Sequence, residues 1–308
     1  MSKFAVNILG CGSATPTLRH LPSCQIVDHR DRLFMIDCGE GAQLQMQRMK
    51  LHYNRLNHIF ISHLHGDHFL GLPGLLSTMA LHEKGAAVTV HTFAEGAEMI
   101  RSMAKFICGD TPFDLKFNIL NPTAHQELYA DESLTISSFP LYHRVPCVGF
   151  LFRERPKLRH ADGDALRFYG VPHYQVAAIR AGADFVREDG TVVPNDRLTH
   201  DADPAMSYAY CSDTMFDRRV ISSVRGVDTI YHESTYADDN AHLAGPRGHS
   251  TARQAGKVAQ KAGASTLVLG HYSKRYRTTD ELEAQAAEEF AGRVIAADEG
   301  MKIELIKG

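Results

Sequence analysis

The chain has 308 residues, is 44% hydrophobic and 22% charged, and carries a formal net charge of −3. That is ordinary for a globular protein with room for one large α/β domain or two small ones, and no apolar run is long enough to span a membrane. The slight acidity weighs against a nucleic-acid partner unless cations gather locally.

The predicted elements alternate between short apolar runs and helical patterns. "FAVNILG" reads as a first strand; with one lysine and a short run ending in glycines, the N-terminus does not read as a signal peptide. "RLFMIDCG" and "NHIFISH" are strands separated by a helical "GAQLQMQRMK". "GLPGLLSTMALHEKG" and "AEGAEMIRSMAKFI" have helical spacing and flank the strand "AAVTVHTF". "LKFNIL" and "ELYADESLTISSFPLYH" are expected to be antiparallel strands, followed by "VPCVGFLFR". Further on come "SYAYCSD", "VDTIYHEST", a helix in "HSTARQAGKVAQKAG", the strand "STLVLGH", a helix near 279–290, and "RVIAAD" and "MKIELIKG". This mixture predicts an α/β fold of two packed sheets with helices outside. Six scattered cysteines without a C-x-x-C pair read as reduced, mostly buried thiols of a cytoplasmic protein.

Residues 153–203 interrupt the pattern with charge and turn residues and no strong strand. A stretch of that kind is expected to be an insertion projecting from the body, with a short helix in "HYQVAAIRAGADFV". It opens with "FRERPKLRH", where Arg153, Arg155, Lys157 and Arg159 alternate. "SKRYR" adds Lys274, Arg275 and Arg277. Either cluster alone reads most simply as a solvated face.

"SHLHGDHFLG" concentrates His63, His65, Asp67 and His68 after a strand. His63 and His65 alternate, Gly66 permits a turn, and imidazole with carboxylate is the donor set of Zn²⁺ or a similar divalent ion. Two ions about 3.5–4 Å apart with a bridging carboxylate would use all four side chains and more. Three other predicted strands end in donor residues, namely His143, Asp213 and His271. Singly, each reads as a hydrogen-bonded histidine or a turn-capping aspartate. Together, at one edge of the sheets, they point to a two-metal site.

These residues carry a resemblance. "SHLHGDH" resembles the His-x-His-x-Asp-His signature of the metallo-β-lactamase superfamily. "LGCGSATPT", "IDCGEGAQLQ", "GLPGLL", "HRVPCVGF", "CSDT", "HEST", "GHSTARQA" and "HYSKRY" resemble, more narrowly, the short-form ribonuclease Z family. The resemblance implies a metallo-β-lactamase-like αβ/βα sandwich over residues 1–308 with an inserted arm at 153–203. It also implies endonucleolytic removal of the 3′ trailer of precursor tRNA, leaving a 3′-hydroxyl. Two zinc ions would be held by His63, His65 and His143, and by Asp67, His68 and His271, with Asp213 between them. Asp67 would also accept a proton from the attacking water. His232, supported by Glu233, would protonate the leaving oxygen; from the residues alone His232 reads equally well as a strand-end histidine bonded to a carboxylate. His249, Ser250 and Arg275 would position the phosphate, and the arm cations would meet RNA. The family's Gly-Pro element in the arm is replaced here, in "YGVPHYQVAAIRAG". The resemblance further implies a homodimer. The alternative is a broader zinc phosphodiesterase of other RNA or small diesters, for which a 50-residue arm has no evident use.

Overall fold

The computed structural model describes residues 4–307. Strands β1 (Phe4–Gly10), β2 (Cys24–His29) and β3 (Arg32–Ile36) form an antiparallel meander. Helix α1 (Ala42–Arg48) then leads to β4 (Leu56–Phe60). Helices α2 (Gly66–Phe69) and α3 (Leu72–Leu81) lead to β5 (Val88–Thr92), and α4 (Ala94–Cys108) to β6 (Leu115–Ile119). From β4 to β6 each strand runs parallel to the one before it. The expectation that "LKFNIL" belongs to an antiparallel set is therefore corrected, because the helical crossover through α4 returns the chain parallel to β5.

The antiparallel pair is β7 (Gln126–Ala130) with β8 (Leu134–Leu141), and β9 (Cys147–Glu154) lies beside β8. Two-residue strands β10 (His160–Ala161), β11 (Phe185–Val186), β12 (Val192–Val193) and β13 (Thr199–His200) follow, with helices α5 (Gly163–Phe168) and α6 (Val176–Arg180) among them. Strands β14 (Ser207–Cys211), β15 (Thr229–Glu233), β16 (Thr266–Gly270) and β17 (Arg293–Ala296) are mutually parallel. They alternate with helices α7 (Arg218–Ser223), α8 (Ala241–Arg247), α9 (Ala252–Ala262) and α10 (Asp280–Ala287). The last strand, β18 (Lys302–Glu304), returns to pair with β1. One seven-stranded sheet thus has the order β18-β1-β2-β3-β4-β5-β6 and the other β17-β16-β15-β14-β9-β8-β7.

The two sheets meet through aromatic side chains. Phe60 on β4 lies 5.3 Å from Phe150 on β9, and Phe34 on β3 lies 6.1 Å from Phe152, both as ring-centroid distances. Every residue of β1, β2, β14, β15 and β16 is buried, which is why these strands read as continuous rather than alternating runs. On the other face of the first sheet, Leu9, Ile26, Met35 and Ile59 join Leu72, Leu75, Leu76 and Ile100 of α3 and α4 in one apolar core. Helix α9 begins with a reciprocal cap, in which Thr251 accepts from the Gln254 amide and the Gln254 side chain accepts from the Thr251 amide. The six cysteines are all free thiols, five of them buried.

Residues 131–134 and 154–205 make one compact unit, and the rest of the described chain makes the other. The smaller unit has its own core of Ile179, Phe185, Val193 and Leu198 against Leu166, Tyr169 and Val171. The expected short helix in "HYQVAAIRAGADFV" is α6. Of the four alternating cations, Arg153 belongs to β9 in the larger unit. Lys157 is ion-paired to Glu154 at 2.8 Å and Arg159 to Asp201 at 2.8 Å. Residues 155–159 belong to no strand, and these ion pairs occupy two of the expected four cations.

Candidate metal centre

The donor residues gather beyond the carboxyl ends of β4, β14 and β16, where parallel strands deliver their following loops. His63 Nε2 lies 3.1 Å from His65 Nδ1, and His143 Nε2 lies 3.3 Å from the same atom. In the second group, His68 Nε2 and His271 Nε2 are 3.3 Å apart, and both are within 3.6 Å of Asp67 Oδ2. Asp213 divides its oxygens between the groups. Its Oδ2 faces His63 and His143 at 3.6 and 3.9 Å, while Oδ1 faces His68 and His271 at 3.5 and 3.1 Å.

A metal-ligating ring is usually held inward by an anchor on its other nitrogen. Four rings meet this condition. His68 Nδ1 donates to Asp37 Oδ2 at 2.8 Å, and His143 Nδ1 donates to the Gly248 carbonyl at 2.7 Å. His271 Nδ1 pairs with Thr235 Oγ1 at 2.9 Å, and His63 Nδ1 with Ser62 Oγ at 3.1 Å. Asp37 was not singled out from the sequence, yet it is fully buried and also accepts from Ser62 and from the Tyr210 hydroxyl across the sandwich. The signal was present in "IDCGEG" as a carboxylate at a strand end, but its partners His68 and Tyr210 are distant along the chain.

Gly248 also has to be glycine. Its φ is +75°, and a Cβ there would sit 2.6 Å from His143 Nδ1. Gly248→Ala is expected to tilt His143 and weaken metal affinity by about 10–100-fold, the usual cost of losing an outer anchor. Competition with a chromogenic chelator checks it; unchanged affinity would remove the Gly248 carbonyl from the support of the site.

The residues fit a pair of cations. Asp213 Oδ1 is buried and makes no hydrogen bond, and a carboxylate oxygen so placed between the ring nitrogens of His68 and His271 calls for positive charge. Burial works against charge on His68, yet Asp213, Asp37 and Asp67 together push it up to about 10. Asp67 is itself held well below the usual carboxylate range: burial opposes this, but contacts to His271 and His68 and the Ala14 amide, 2.7 Å from Oδ2, outweigh it. The centre opens into a cleft of about 550 Å³ lined by four cations, Arg144, Arg247, Lys274 and Arg275. Arg144 and Arg247 were not distinguished in the sequence because nothing marks a single arginine as facing a cleft.

His249 lines this cleft, and Glu233 does not merely accompany a neighbour. Glu233 Oε1 lies 3.1 Å from His249 Nδ1, and the carboxylate also accepts from Thr214, Thr235 and Ser250 amides. Burial opposes protonation of His249, but Glu233 pushes it up to about 9. His232 is placed elsewhere. Successive strand residues face opposite sides, so Glu233 reaching His249 turns His232 away. It is fully buried, lies outside the cleft lining, bonds the Glu233 carbonyl through Nδ1, and has an unpartnered Nε2. Burial lowers its pKa. Ser250 is likewise fully buried and donates to the Thr214 carbonyl at 2.7 Å, so it does not face a phosphate.

A family model described as anti-Pycsar protein Apyc1 matches residues 4–155. The chain is similar over nearly its whole length to ribonuclease Z of Parabacteroides distasonis, at 47% identity over 305 residues, covering 99% of this chain and 100% of that one. Ribonuclease Z of Porphyromonas gingivalis is 43% identical over 306 residues, covering 99% and 100%. Among solved structures, human tRNase Z, short form, superposes with a TM-score of 0.71 at 24% identity, covering 98% of this chain and 99% of that one. A metallo-β-lactamase fold protein of Bacillus subtilis gives 0.69 at 18% identity, covering 98% and 99%. The two-sheet α/β architecture is the metallo-β-lactamase fold, and by its full-length relatives the chain belongs to the ribonuclease Z family.

Proposed function

We propose that the chain is an endoribonuclease that removes the 3′ trailer of precursor tRNA through a two-zinc centre. The observation that carries this is the division of the Asp213 oxygens between two donor groups inside a cation-lined cleft. His63, His65, His143 and Asp213 would hold one ion and Asp67, His68 and His271 the other, two groups whose donor atoms lie within reach of one another, with Asp213 Oδ1 3.1 Å from His271 to bridge to the second. When bound, the pair supplies an activated water and neutralises charge on the phosphate. The chain's own residues do the rest. Arg144, Arg247 and Arg275 hold the non-bridging oxygens and steer the polyanion into a protein of net negative charge. Asp67 accepts the proton of the water, since its carboxyl stays ionised. Attack at phosphorus breaks the bond to the 3′ oxygen. His249, oriented by Glu233, gives that oxygen its proton and leaves a 3′-hydroxyl on the tRNA.

The unit around residues 153–203 is part of the proposal as a grip on the tRNA away from the cut, with Arg155 exposed for a backbone contact. A homodimer working in the cytoplasm completes it; among the described residues no helix is long and apolar enough to cross a membrane. The test compares cleavage of a precursor tRNA with hydrolysis of a small chromogenic diester, for the intact chain and for one with residues 155–203 replaced by a Gly-Ser linker. Trailer removal that falls through weaker binding, with diester hydrolysis kept, supports the reading. An intact chain that hydrolyses only the diester would replace it with the broader phosphodiesterase.

A further inference from the structure

A second cluster of donor atoms lies apart from the catalytic centre. Cys11 follows β1, His20 ends the loop that comes next, and Asp298 and Glu299 lie between β17 and β18. Cys11 Sγ is 3.4 Å from His20 Nδ1 and 3.7 Å from Glu299 Oε1. His20 Nδ1 is 2.9 Å from Glu299 Oε2 and 3.6 Å from Asp298 Oδ1. One donor atom from each of the four residues falls within 4.8 Å of all the others. Around a tetrahedral zinc, with bonds of about 2.0–2.3 Å, donor atoms lie about 3.3–3.7 Å apart. We propose that Cys11, His20, Asp298 and Glu299 form a separate metal site for one borderline-soft divalent cation of the zinc class.

Three features distinguish this cluster from a chance meeting of polar side chains. The donors are mixed in chemistry, one thiol, one imidazole and two carboxylates, which is a transition-metal set rather than a calcium or magnesium one. Cys11 is fully buried and His20 is 7% exposed; His20 Nε2 is buried with no hydrogen-bond partner, so the polar contacts of the ring are those of the cluster, while its face packs against Tyr272. The Glu299 carboxylate is itself oriented: its Oε1 accepts from the Leu21 amide at 2.8 Å and the Cys11 amide at 3.4 Å, leaving Oε2 toward His20. Asp298, with a side chain 61% exposed, gives an ion its way in. Burial and the neighbouring carboxylates hold the Cys11 thiol protonated in the ion-free chain, so loading releases a proton.

An ion there would clasp 298–299 onto the loop that flanks the cleft. The Cys11 carbonyl accepts from the Tyr272 amide, next to His271, and the Ala14 amide holds Asp67. The site is therefore structural, three residues along the chain from the backbone that positions a catalytic carboxylate.

Cobalt(II) is the probe, added to the metal-stripped full chain. The catalytic donors are all nitrogen and oxygen, so thiolate-to-cobalt charge-transfer absorption in the near-ultraviolet reports a cysteine site alone. The band is expected to saturate at one cobalt per chain in addition to those of the catalytic centre, and to vanish in Cys11→Ser. Asp298→Asn alters an exposed side chain that leaves the fold intact, and is expected to weaken cobalt binding at the band about tenfold. A chain that fills its catalytic centre with cobalt and shows no band overturns the proposal. So does a band that survives Cys11→Ser, or an unchanged affinity in Asp298→Asn.

Discussion

Asp213→Ala is expected to empty both halves of the metal centre and lower turnover by about 10³-fold or more, because several kcal/mol of charge stabilisation are lost at once. Other ligands serve one half. His63→Ala should cost the first ion and His271→Ala the second, whereas Asp213 presents an oxygen to each half. Metal analysis after dialysis against a weak chelator reads this directly. Two retained ions in Asp213→Ala would sink the bridging assignment; loss of one would give Asp213 to a single half. The carboxylate matters in the stripped protein too. There Oδ1 makes no hydrogen bond but lies 3.1 Å from His271 Nε2 and 3.5 Å from His68 Nε2, and the Asp213 charge helps to hold the proton on His68. Metal-free Asp213→Asn should therefore unfold at a lower temperature than the metal-free parent, while zinc raises the midpoint of the parent and not of the variant.

Much of this centre was legible in the sequence because its geometry is local. His63, His65, Asp67 and His68 come from one loop, and His143, Asp213 and His271 each follow a run recognisable as a strand. The buried strands of the second sheet were equally visible as short runs rich in apolar and aromatic residues. What stayed hidden depends on partners distant along the chain. Asp37 matters because β3 and α2 bring it against His68, and β14 brings Tyr210 to it. "LKFNIL" has the composition of a strand, but only the crossover decides which sheet it joins and in which direction. His232 and Glu233 show a different limit. "HEST" looks like one functional unit, yet a strand sends adjacent side chains to opposite faces, and Tyr231 stacking on Tyr210 marks the face that Glu233 shares. The pattern was available in the sequence, in the register of β15 against the apolar run that precedes it. Ser250 illustrates a related limit: "HST" reads as a phosphate-binding run, while its serine is buried against Thr214 and its threonine caps α9.

Placing the proposed acid at His249 rather than His232 gives the second large effect. His249→Ala should keep both metals and lower trailer cleavage by about 10²–10⁴-fold, the range for a positioned general acid. His232→Ala should leave the turnover of the folded protein near its normal value and instead lower its stability, because it opens a cavity around a fully buried ring. The pH dependence separates an acid from a mere phosphate contact. A histidine whose pKa is raised carries its proton up to that pKa and loses it as the pH climbs through it, so the alkaline limb of the rate profile reports His249. Removing the charge in Glu233→Gln should move that limb toward lower pH, since burial then acts on His249 with less opposition. A substrate with sulfur in place of the bridging 3′ oxygen supplies the chemical control. A thiolate leaves without needing a proton, so this substrate should restore most of the rate lost in His249→Ala and none of the rate lost in His63→Ala. Absence of that rescue, with both ions in place, would make His249 a binding residue. A His232→Ala chain that is folded, metal-loaded and inactive would return the acid to β15.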